Sequence, residues 1–364
     1  MDNFKPGTPW HDTSGQLIQA HGGGMLVTKE NGNDIYYWYG EDKTHGYRPL
    51  TGVHAYRSAD LLRWEDCGVV LHALESADDF DQPCFHEVYG ELDNSEKARL
   101  FADLDRNTAV MERPKVLYNA KNGNYVMWFH ADGPTEKSSS NYAKAKAAVA
   151  VSQSPTGPFR LLGSYRLDHY KGEDYAHNPG MARDMTLFAD GGEAYIIYSS
   201  EENYTLYISR LNEDYTHITS GGVESENYAP VSGVDYVRIF PKGHREAPAM
   251  FKHKGTYYLV TSGCTGWKPN PALYAKADSI MGEWTNMGDP CVDDVKRTTF
   301  DSQSTYVLPI DPDNGKYLYM GDRWIAGDLA NSSYIWLPLE VTDDGAILLK
   351  WIDEWYMNIG KEAR

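Results

Sequence analysis

The sequence lacks several features that would each indicate a particular class of protein. None of its 364 residues belongs to an apolar run near the roughly 20 residues of a membrane span. The 12 histidines form no HExxH or HxH pair, and the glycines form no GxGxxG or GK[ST] phosphate-binding motif. These absences argue against a transmembrane helix, a zinc-protease site and a nucleotide-binding loop. The sequence therefore predicts no cofactor and no metal, and nothing in it requires a structural cation.

Cysteines are few and show no pattern. Cys67, Cys84, Cys264 and Cys291 form no CxxC pair or other metal-binding spacing. We expect them to be reduced, buried thiols. The N-terminal MDNFKPGTPW lacks the basic and apolar segments of a signal peptide. The expected location is therefore cytoplasmic, or secreted if a signal peptide has been removed.

Positive charge is also scarce. The chain has 34 basic and 52 acidic residues, which gives a formal net charge of −18 at pH 7. Nucleic acids and anionic membranes attract basic surfaces, so neither is expected as a partner. A neutral ligand would be indifferent to this charge.

Aromatic residues, in contrast, are abundant and of a particular kind. The chain has 27 Tyr and 10 Trp against only 10 Phe. Tyr and Trp combine a flat apolar face with a polar edge, which suits both β-sheet cores and sugar rings. We expect most of them to be strand residues and the rest to be available for a carbohydrate.

One pattern, a short apolar strand, a polar turn and a Tyr-rich strand, recurs five times. The five copies read HGGGMLVTKENGNDIYYWYGED (21–42), ERPKVLYNAKNGNYVMWFH (112–130), RDMTLFADGGEAYIIYSS (183–200), REAPAMFKHKGTYYLVTS (245–262) and SQSTYVLPIDPDNGKYLYMG (302–321). Turns of Gly, Asn and Asp between β-rich runs are hairpin signals. Further strand-like segments follow each copy, giving about four strands per unit.

Four-stranded units repeated at such intervals are typical of a β-propeller. The sequence therefore predicts an all-β fold, a five-bladed β-propeller with four-stranded antiparallel blades around a central channel. Residues 1–364 would form a single catalytic domain, closed by strands at 334–360 and without an accessory carbohydrate-binding module. An acidic insertion at about 72–111 would lie in or after blade one.

The innermost strand of each propeller blade lines the channel, so residues at its mouth face their counterparts from other blades. These residues are His21 or Gly22, Glu112, Asp184, Glu246 and Gln303. Glu41 closes the second strand of blade one on the same rim. Carboxylates that converge from separate blades can either coordinate a metal or serve paired acid–base chemistry. Inverting glycoside hydrolysis, for example, uses a protonated carboxyl and a base about 6.5–9.5 Å away.

Several motifs resemble those of glycoside hydrolase family 43. They are AHGGG, YYWYGE, ERPKVLYN, RDMTLF, EAPAMF, TSGCTGW and SQST. More narrowly, they are similar to the exo-β-1,3-galactanase (galactan 1,3-β-galactosidase) branch. The resemblance covers essentially the whole chain. It implies a propeller enzyme that releases terminal galactose from β-1,3-linked galactan or galacto-oligosaccharides with inversion.

The resemblance also implies roles for individual residues. Glu246 matches the general acid and Glu112 the carboxylate that adjusts its pKa, while Gln303 matches a residue that positions or activates water. The wider family has an Asp base at the start of blade one, where this chain reads Gln19-Ala20-His21-Gly22. An amide oxygen is a very poor base, so Glu41 or another group would take the proton.

Other residues are candidates for binding sugar. Asp184 and Glu41 match positions that bond galactose hydroxyls, and Tyr142 and Asn203 match more loosely. Trp267 would stack on a sugar face or belong to the core, and His21 would face the pocket or be structural. Two alternatives stay open: an α-L-arabinofuranosidase or β-xylosidase of the same family, and a non-catalytic sugar-binding propeller.

Overall fold

Five successive stretches of the chain each fold into a sheet with four antiparallel strands that are neighbours in sequence order. The computed structural model describes residues 3–172 and 178–357. The predicted closing segment, 334–360, thus ends outside the described residues. The predicted five-bladed β-propeller is confirmed.

The blades have the following strands. Blade one contains β1 (His21–Glu30), β2 (Asn33–Glu41), β3 (Gly52–Ser58) and β4 (Glu65–His72). Blade two contains β5 (Val110–Asn119), β6 (Asn124–Asp132), β7 (Lys146–Ser152) and β8 (Arg160–Tyr165). Blade three contains β9 (Met185–Asp190), β10 (Glu193–Ser200), β11 (Thr205–Arg210) and β12 (Tyr236–Ile239). Blade four contains β13 (Arg245–His253), β14 (Thr256–Gly263), β15 (Leu273–Ala277) and β16 (Thr285–Gly288). Blade five contains β18 (Gln303–Asp311), β19 (Lys316–Arg323), β20 (Ser333–Val341) and β21 (Ile347–Lys350), and β17 (Cys291–Val292) pairs with β21 in parallel.

The first strand of every blade lies at the hub. Around the ring, β1 contacts β5, β5 contacts β9, β9 contacts β13, β13 contacts β18, and β18 returns to β1. Apolar side chains fill the spaces between neighbouring blades in several clusters. The polar ends of the first strands are therefore brought together at one end of the channel.

The two ends of the described chain meet beside blades one and five. Phe4 and Trp355 exchange both backbone hydrogen bonds, at 2.9 and 3.0 Å, and their rings stack 4.3 Å apart. Trp10, Trp38 and Trp336 pack into the same buried cluster. Many of the tryptophans therefore serve ring closure rather than ligand binding.

The insertion between β4 and β5 contains two short helices, α1 (Pro83–Tyr89) and α2 (Asn94–Leu104). No helix was expected here, because no long stretch of the sequence shows helical periodicity. The available signal was local. Asp93 caps α2 by accepting from the amides of Ser95 and Glu96, and Glu96 reaches back to the Asp93 amide. Within residues 3–172 and 178–357, neither helix is long and apolar enough to cross a membrane.

A β-bulge follows the site residue in four of the five first strands. The pairing register shifts between His21 and Gly24, Glu112 and Lys115, Glu246 and Ala249, and Ser304 and Tyr306. Gly22, Arg113 and Ala247 have φ of 59°, 57° and 53° at three of these bulges. Bulges commonly redirect side chains beside active sites. In blades two, four and five the polar residues that precede the bulges, Glu112, Glu246 and Gln303, face the hub.

All four cysteines are free, as expected. The expectation that they are buried was wrong, because Cys84 is exposed on α1 and the other three are partly buried.

Candidate active site

A cavity of about 360 Å³ opens at the hub where the bulged strand ends converge. Its lining is Glu41, Glu112, Arg113, His130, Tyr142, Arg183, Asp184, Asn203, Glu246, Cys264, Gly266, Trp267, Gln303 and Trp324. Four carboxylates from four blade positions thus share one space. Two larger cavities on the described surface hold only one and two carboxylates. A third, of about 450 Å³, has four aspartates, but they come from blades four and five alone: Asp278, Asp313, Asp343 and Asp344.

Eight of the nine residues expected from the sequence line this cavity. They are Glu41, Glu112, Tyr142, Asp184, Asn203, Glu246, Trp267 and Gln303. His21 does not face the cavity, which corrects the expectation for it. Its side chain is fully buried, stacks on Tyr334 at 4.9 Å and packs against Trp324. It is a structural residue of the blade-one bulge.

Glu246 is held as a protonated acid. Burial, followed by the negative charge of Asp184, raises the pKa of Glu246 to about 8, although the positive charge of Arg113 opposes this. Glu112 adds to the rise. At neutral pH this carboxyl keeps its proton and can donate it, which is the state a general acid requires.

The side-chain amide of Gln303 is fully hydrogen-bonded within the protein. Its Oε1 accepts from Nη2 of Arg113 at 2.6 Å and from Nε1 of Trp324 at 3.0 Å. Its Nε2 donates to Oε1 of Glu246 and to Oγ of Ser262, both at 3.0 Å. Arg113 and Trp324 are donors only, so they fix which end of the amide is oxygen. Both lone pairs of this oxygen are used, which favours a role in orienting Glu246 over a role as a base.

Arg113 connects the polar residues of three blades. Its guanidinium is buried between Gln303 and Asp184, with Nη2 of Arg113 3.1 Å from Oδ2 of Asp184. Its Nη1 donates to the backbone oxygen of Ser304 at 2.9 Å, and its backbone N–H donates to Oε1 of Glu41 at 3.0 Å. Because of the bulge, one residue binds Glu41 through its backbone and Gln303 through its side chain.

Glu41 reaches the hub from the second strand of blade one. Its Oε2 lies 2.8 Å from Nζ of Lys43, and both side chains are almost completely buried. Burial raises the pKa of Glu41 despite the opposing charge of Lys43. The result is a dry carboxylate with more basic character than an exposed one.

Glu112 is the opposite case. Burial alone would raise the pKa of Glu112, but its hydrogen bond to His130 and the charges of His130, Lys43 and Arg113 lower it. Glu112 is therefore the ionised partner and Glu246 the protonated one. Two carboxyls whose environments separate their pKa values can divide acid and anion roles between them.

Glu112, His130 and Asp184 offer atoms within 4.8 Å of one another, as a metal site would. Both ring nitrogens of His130 already face carboxylate oxygens, however, at 3.1 Å for Glu112 and 3.0 Å for Asp132. Each nitrogen therefore carries a proton and has no lone pair for a metal. We assign the cluster to hydrogen bonding.

Aromatic rings form one wall of the cavity. Trp267 and Trp324 meet edge to face with centroids 4.9 Å apart, and Tyr47 contacts Trp267 at 6.3 Å. The hydroxyl of Tyr47 bonds that of Tyr142 at 2.6 Å. Such a wall offers flat apolar faces to a sugar ring.

Two polar atoms at the cavity are buried and make no hydrogen bond within the described residues. They are Oδ1 of Asn203 and Nε of Arg183. Nε of Arg183 lies 3.8 Å from Oδ2 of Asp132 and belongs to that ion pair, whereas Oδ1 of Asn203 is an acceptor that a ligand hydroxyl could satisfy.

The sequence interpretation missed several cavity residues: Arg113, His130, Arg183, Cys264, Gly266 and Trp324. Arg113 follows Glu112 directly, and His130 is the last residue of the same sequence repeat, 112–130, so both lay inside the recurring motif. Trp324 comes directly after β19, the second strand of blade five, and Glu41 is the last residue of β2, the second strand of blade one. A comparison of the second-strand ends across the repeats could therefore have identified Trp324.

Comparison with known proteins agrees with this geometry. The sequence profile of glycosyl hydrolases family 43 matches residues 114–301. A family 43 β-1,3-galactosidase solved with galactodeoxynojirimycin is 38% identical, with 97% of this chain and 100% of that chain covered and a TM-score of 0.79. The chain belongs to glycoside hydrolase family 43.

Two exo-β-1,3-galactanases are also similar to this family 43 chain. The enzyme from Phanerochaete chrysosporium, solved with β-1,3-galactotriose, is 31% identical, with 98% of this chain and 69% of that chain covered and a TM-score of 0.76. The enzyme from Clostridium thermocellum is 35% identical, with 97% of this chain and 66% of that chain covered and a TM-score of 0.75. No curated protein sequence matches. The protein is a glycoside hydrolase with a carbohydrate substrate.

Proposed function

We propose that this glycoside hydrolase releases terminal galactose from β-1,3-linked galactan or galacto-oligosaccharides with inversion of the anomeric centre. The main support is the pairing of a protonated Glu246 with an ionised Glu112 in one cavity of about 360 Å³. This volume lies at the small end of the roughly 300–1,000 Å³ typical of small-molecule sites. A small cavity suits a single terminal sugar, and the similarity to galactanases supports galactose.

Glu246 acts as the general acid in this proposal. Its proton passes to the glycosidic oxygen as the bond to the anomeric carbon breaks, and the leaving sugar departs with that proton. Gln303 holds Oε1 of Glu246 from one side at 3.0 Å, which fixes the carboxyl for transfer. Burial and the charge of Asp184 raise the pKa of Glu246 most, and the negative charge of Glu112 adds to the rise that keeps the proton in place.

A water molecule next to Gln303 attacks the anomeric carbon from the face opposite the leaving sugar, its oxygen forms the new C–O bond, and Glu41 takes its proton. Three observations support this assignment of roles to Gln303 and Glu41. The oxygen of the Gln303 amide is saturated, Glu41 is a buried carboxylate with a raised pKa, and Arg113 lies between them. Glu41 accepts a hydrogen bond from the backbone N–H of Arg113. The guanidinium of Arg113 binds Gln303, and Gln303 in turn binds Glu246. This arrangement separates acid and base, as inversion requires.

The remaining cavity residues bind the sugar. Asp184, Asn203 and Arg183 offer groups for hydroxyls, and Trp267, Trp324 and Tyr142 supply the aromatic wall. The protein surface is acidic overall, which suits a neutral oligosaccharide better than an anionic one.

The test is the stereochemistry of the released sugar. Hydrolysis of β-1,3-galactobiose followed by proton NMR should show α-galactose before mutarotation. A screen of galacto-disaccharides with other linkages, an aryl arabinofuranoside and an aryl xyloside should show the strongest turnover on the β-1,3 disaccharide. Release of β-galactose first would contradict inversion, and preference for a pentoside would contradict the substrate. Glu246→Gln should lower kcat by about 10²–10⁴, as loss of a general acid does.

A further inference from the structure

His130 lies between two buried carboxylates on blade two. Its Nδ1 is 3.1 Å from Oε2 of Glu112, and its Nε2 is 3.0 Å from Oδ2 of Asp132. Glu112 and His130 are direct partners in the β5–β6 register. Ionised carboxylates only accept hydrogen bonds, so both ring nitrogens must donate and the ring is an imidazolium.

Asp132 fixes the far end of this chain. Its Oδ1 accepts backbone N–H groups from Gly133, Lys144 and Ala145 at 2.9, 2.8 and 2.9 Å. Its side chain is fully buried. Three amide donors hold the carboxylate ionised and immobile, so Oδ2 is a fixed acceptor for His130.

We propose that His130 is a positioning residue that keeps Glu112 ionised and aimed into the sugar cavity, with Asp132 as its anchor. The inference rests on the proposed function, because Glu112 matters only if it adjusts the acid Glu246. Asp132, His130 and Glu112 form a chain of hydrogen bonds that ends at the cavity, and we call this chain the relay. Although burial opposes the charge, hydrogen bonds to Asp132 and Glu112 raise the pKa of His130 to about 9.

The surroundings of the relay contain further charged and titratable groups. Facing it from the packed elements are Glu41, Lys43, Tyr47, Arg113, Tyr142, Arg183 and Asp184. Of these, Lys43 and Arg113 also favour an ionised Glu112, and Glu41 opposes it. None of the three hydrogen-bonds Glu112 in the structure. His130 alone among the described residues supplies both the charge and the direction.

The consequence for pH dependence has a definite sign. Without His130 the pKa of Glu112 rises, so the acidic limb of the kcat/KM profile moves to higher pH. At the pH of the basic limb Glu112 is ionised with or without His130, so the limb set by Glu246 should not move to lower pH. Loss of His130 should therefore narrow the pH profile from its acidic side.

The experiment compares His130→Asn with wild type on β-1,3-galactobiose and on an aryl β-galactoside with a good leaving group, across pH. We expect the narrowed profile and a loss of about 10- to 100-fold in kcat/KM on the disaccharide, within what general acid catalysis contributes. The loss on the aryl substrate should be smaller, because its departure needs less protonation. Asp132→Asn should give a weaker shift in the same direction, and it tests the relay if His130→Asn folds poorly.

His54→Asn is the matched control. His54 also lies between two carboxylates, at 3.3 Å from Asp42 and 2.6 Å from Asp66, but it is outside the cavity. The His54→Asn variant should keep the wild-type pH profile.

If the pH profiles of His130→Asn and Asp132→Asn stay parallel to that of wild type, the relay is overturned while Glu246 remains the acid. Inactivity of the wild type, or full activity of Glu246→Gln, would instead overturn the proposed function. Loss of wild-type activity in EDTA with recovery on adding a divalent cation would replace the relay with a metal site.

Discussion

Gly22 leaves the space that the carboxylate of Glu41 occupies. A Cβ atom on Gly22 would lie 2.1 Å from Oε1 of Glu41 and 3.3 Å from Cδ of Arg113. The backbone of Gly22 is also left-handed, with φ of 59°, which a residue with a side chain adopts at a cost. The second strand of blade one can therefore deliver the carboxylate that its first strand lacks.

Gly22→Ala should displace Glu41 and lower kcat/KM on β-1,3-galactobiose by tenfold or more, given typical acid–base contributions of about 10²–10⁴. The left-handed backbone should also cost about 1–2 kcal/mol of stability. Gly32→Ala is the control, because φ is 83° there but nothing lies within 4 Å of the added atom. It should lose similar stability in urea unfolding and keep its activity. Equal activity loss in both variants would point to strain rather than displacement of Glu41.

The free energy of unfolding of Glu246→Gln, relative to that of wild type, should increase as pH rises. The folded-state pKa of Glu246 is raised to about 8 from 4.5, so its contribution is full below 4.5 and is lost progressively up to about pH 8. The loss is about 1.4 kcal/mol per pH unit, and a Gln does not titrate. Urea unfolding at several pH values should show the variant gaining on wild type from pH 5 to 8. Glu340→Gln, at an exposed position on β20, should show no gain. If the difference in unfolding free energy between Glu246→Gln and wild type does not change with pH, Glu246 is ionised in the folded enzyme.

Gln303→Glu separates two roles for this residue. If Gln303 were the base, a carboxylate in its place should work at least as well. In our proposal the variant loses the N–H that orients Glu246 and places a second carboxylate 3.0 Å from it. We therefore expect kcat to fall by about 10²-fold or more, the lower end for a lost general acid. Wild-type or higher turnover would return the base role to position 303.

Trp324→Phe should lower kcat more than it raises KM. The change keeps an aromatic ring in the wall but removes the N–H that donates to Oε1 of Gln303 at 3.0 Å. Trp267→Phe is the comparison, because no hydrogen bond links Trp267 to the catalytic residues among the described contacts, and it should change mainly KM. Steady-state kinetics on β-1,3-galactobiose distinguish the two. The same KM-dominated change in both variants would remove Trp324 from the orientation of Gln303.

Phe4→Ala should destabilise the whole ring. The Phe4 side chain is fully buried and stacks on Trp355, so its removal should cost about 3–5 kcal/mol, as for other buried aromatics. Tyr356→Ala, at a neighbouring position that is 66% exposed, should have a small effect. Thermal unfolding checks both. A melting temperature of Phe4→Ala close to wild type would show that closure does not depend on this contact.

Much of the site could be predicted from the sequence because the five repeats are regular. Hairpin turns and Tyr-rich strands gave the blades, and equivalent positions then gave Glu112, Glu246 and Gln303. His130 was missed because a lone histidine on a strand carries no pattern of its own. Its function depends on Asp132 and Glu112, and only the strand register places these on either side of the ring. His21 was misplaced because the sequence does not reveal how the bulge turns it toward Tyr334.

The sequence by itself determined five repeated sheets and the polar residues at their strand mouths, because turn chemistry and alternation act over a few residues. Only the tertiary structure decided the charge of each group. Glu112 and Glu246 occupy equivalent positions near the start of β5 and β13 and have the same side chain. Even so, the pKa of Glu112 is lowered by His130, whereas the pKa of Glu246 is raised by burial and Asp184. Such differences arise from neighbours far away in the chain, which come together only when the ring closes.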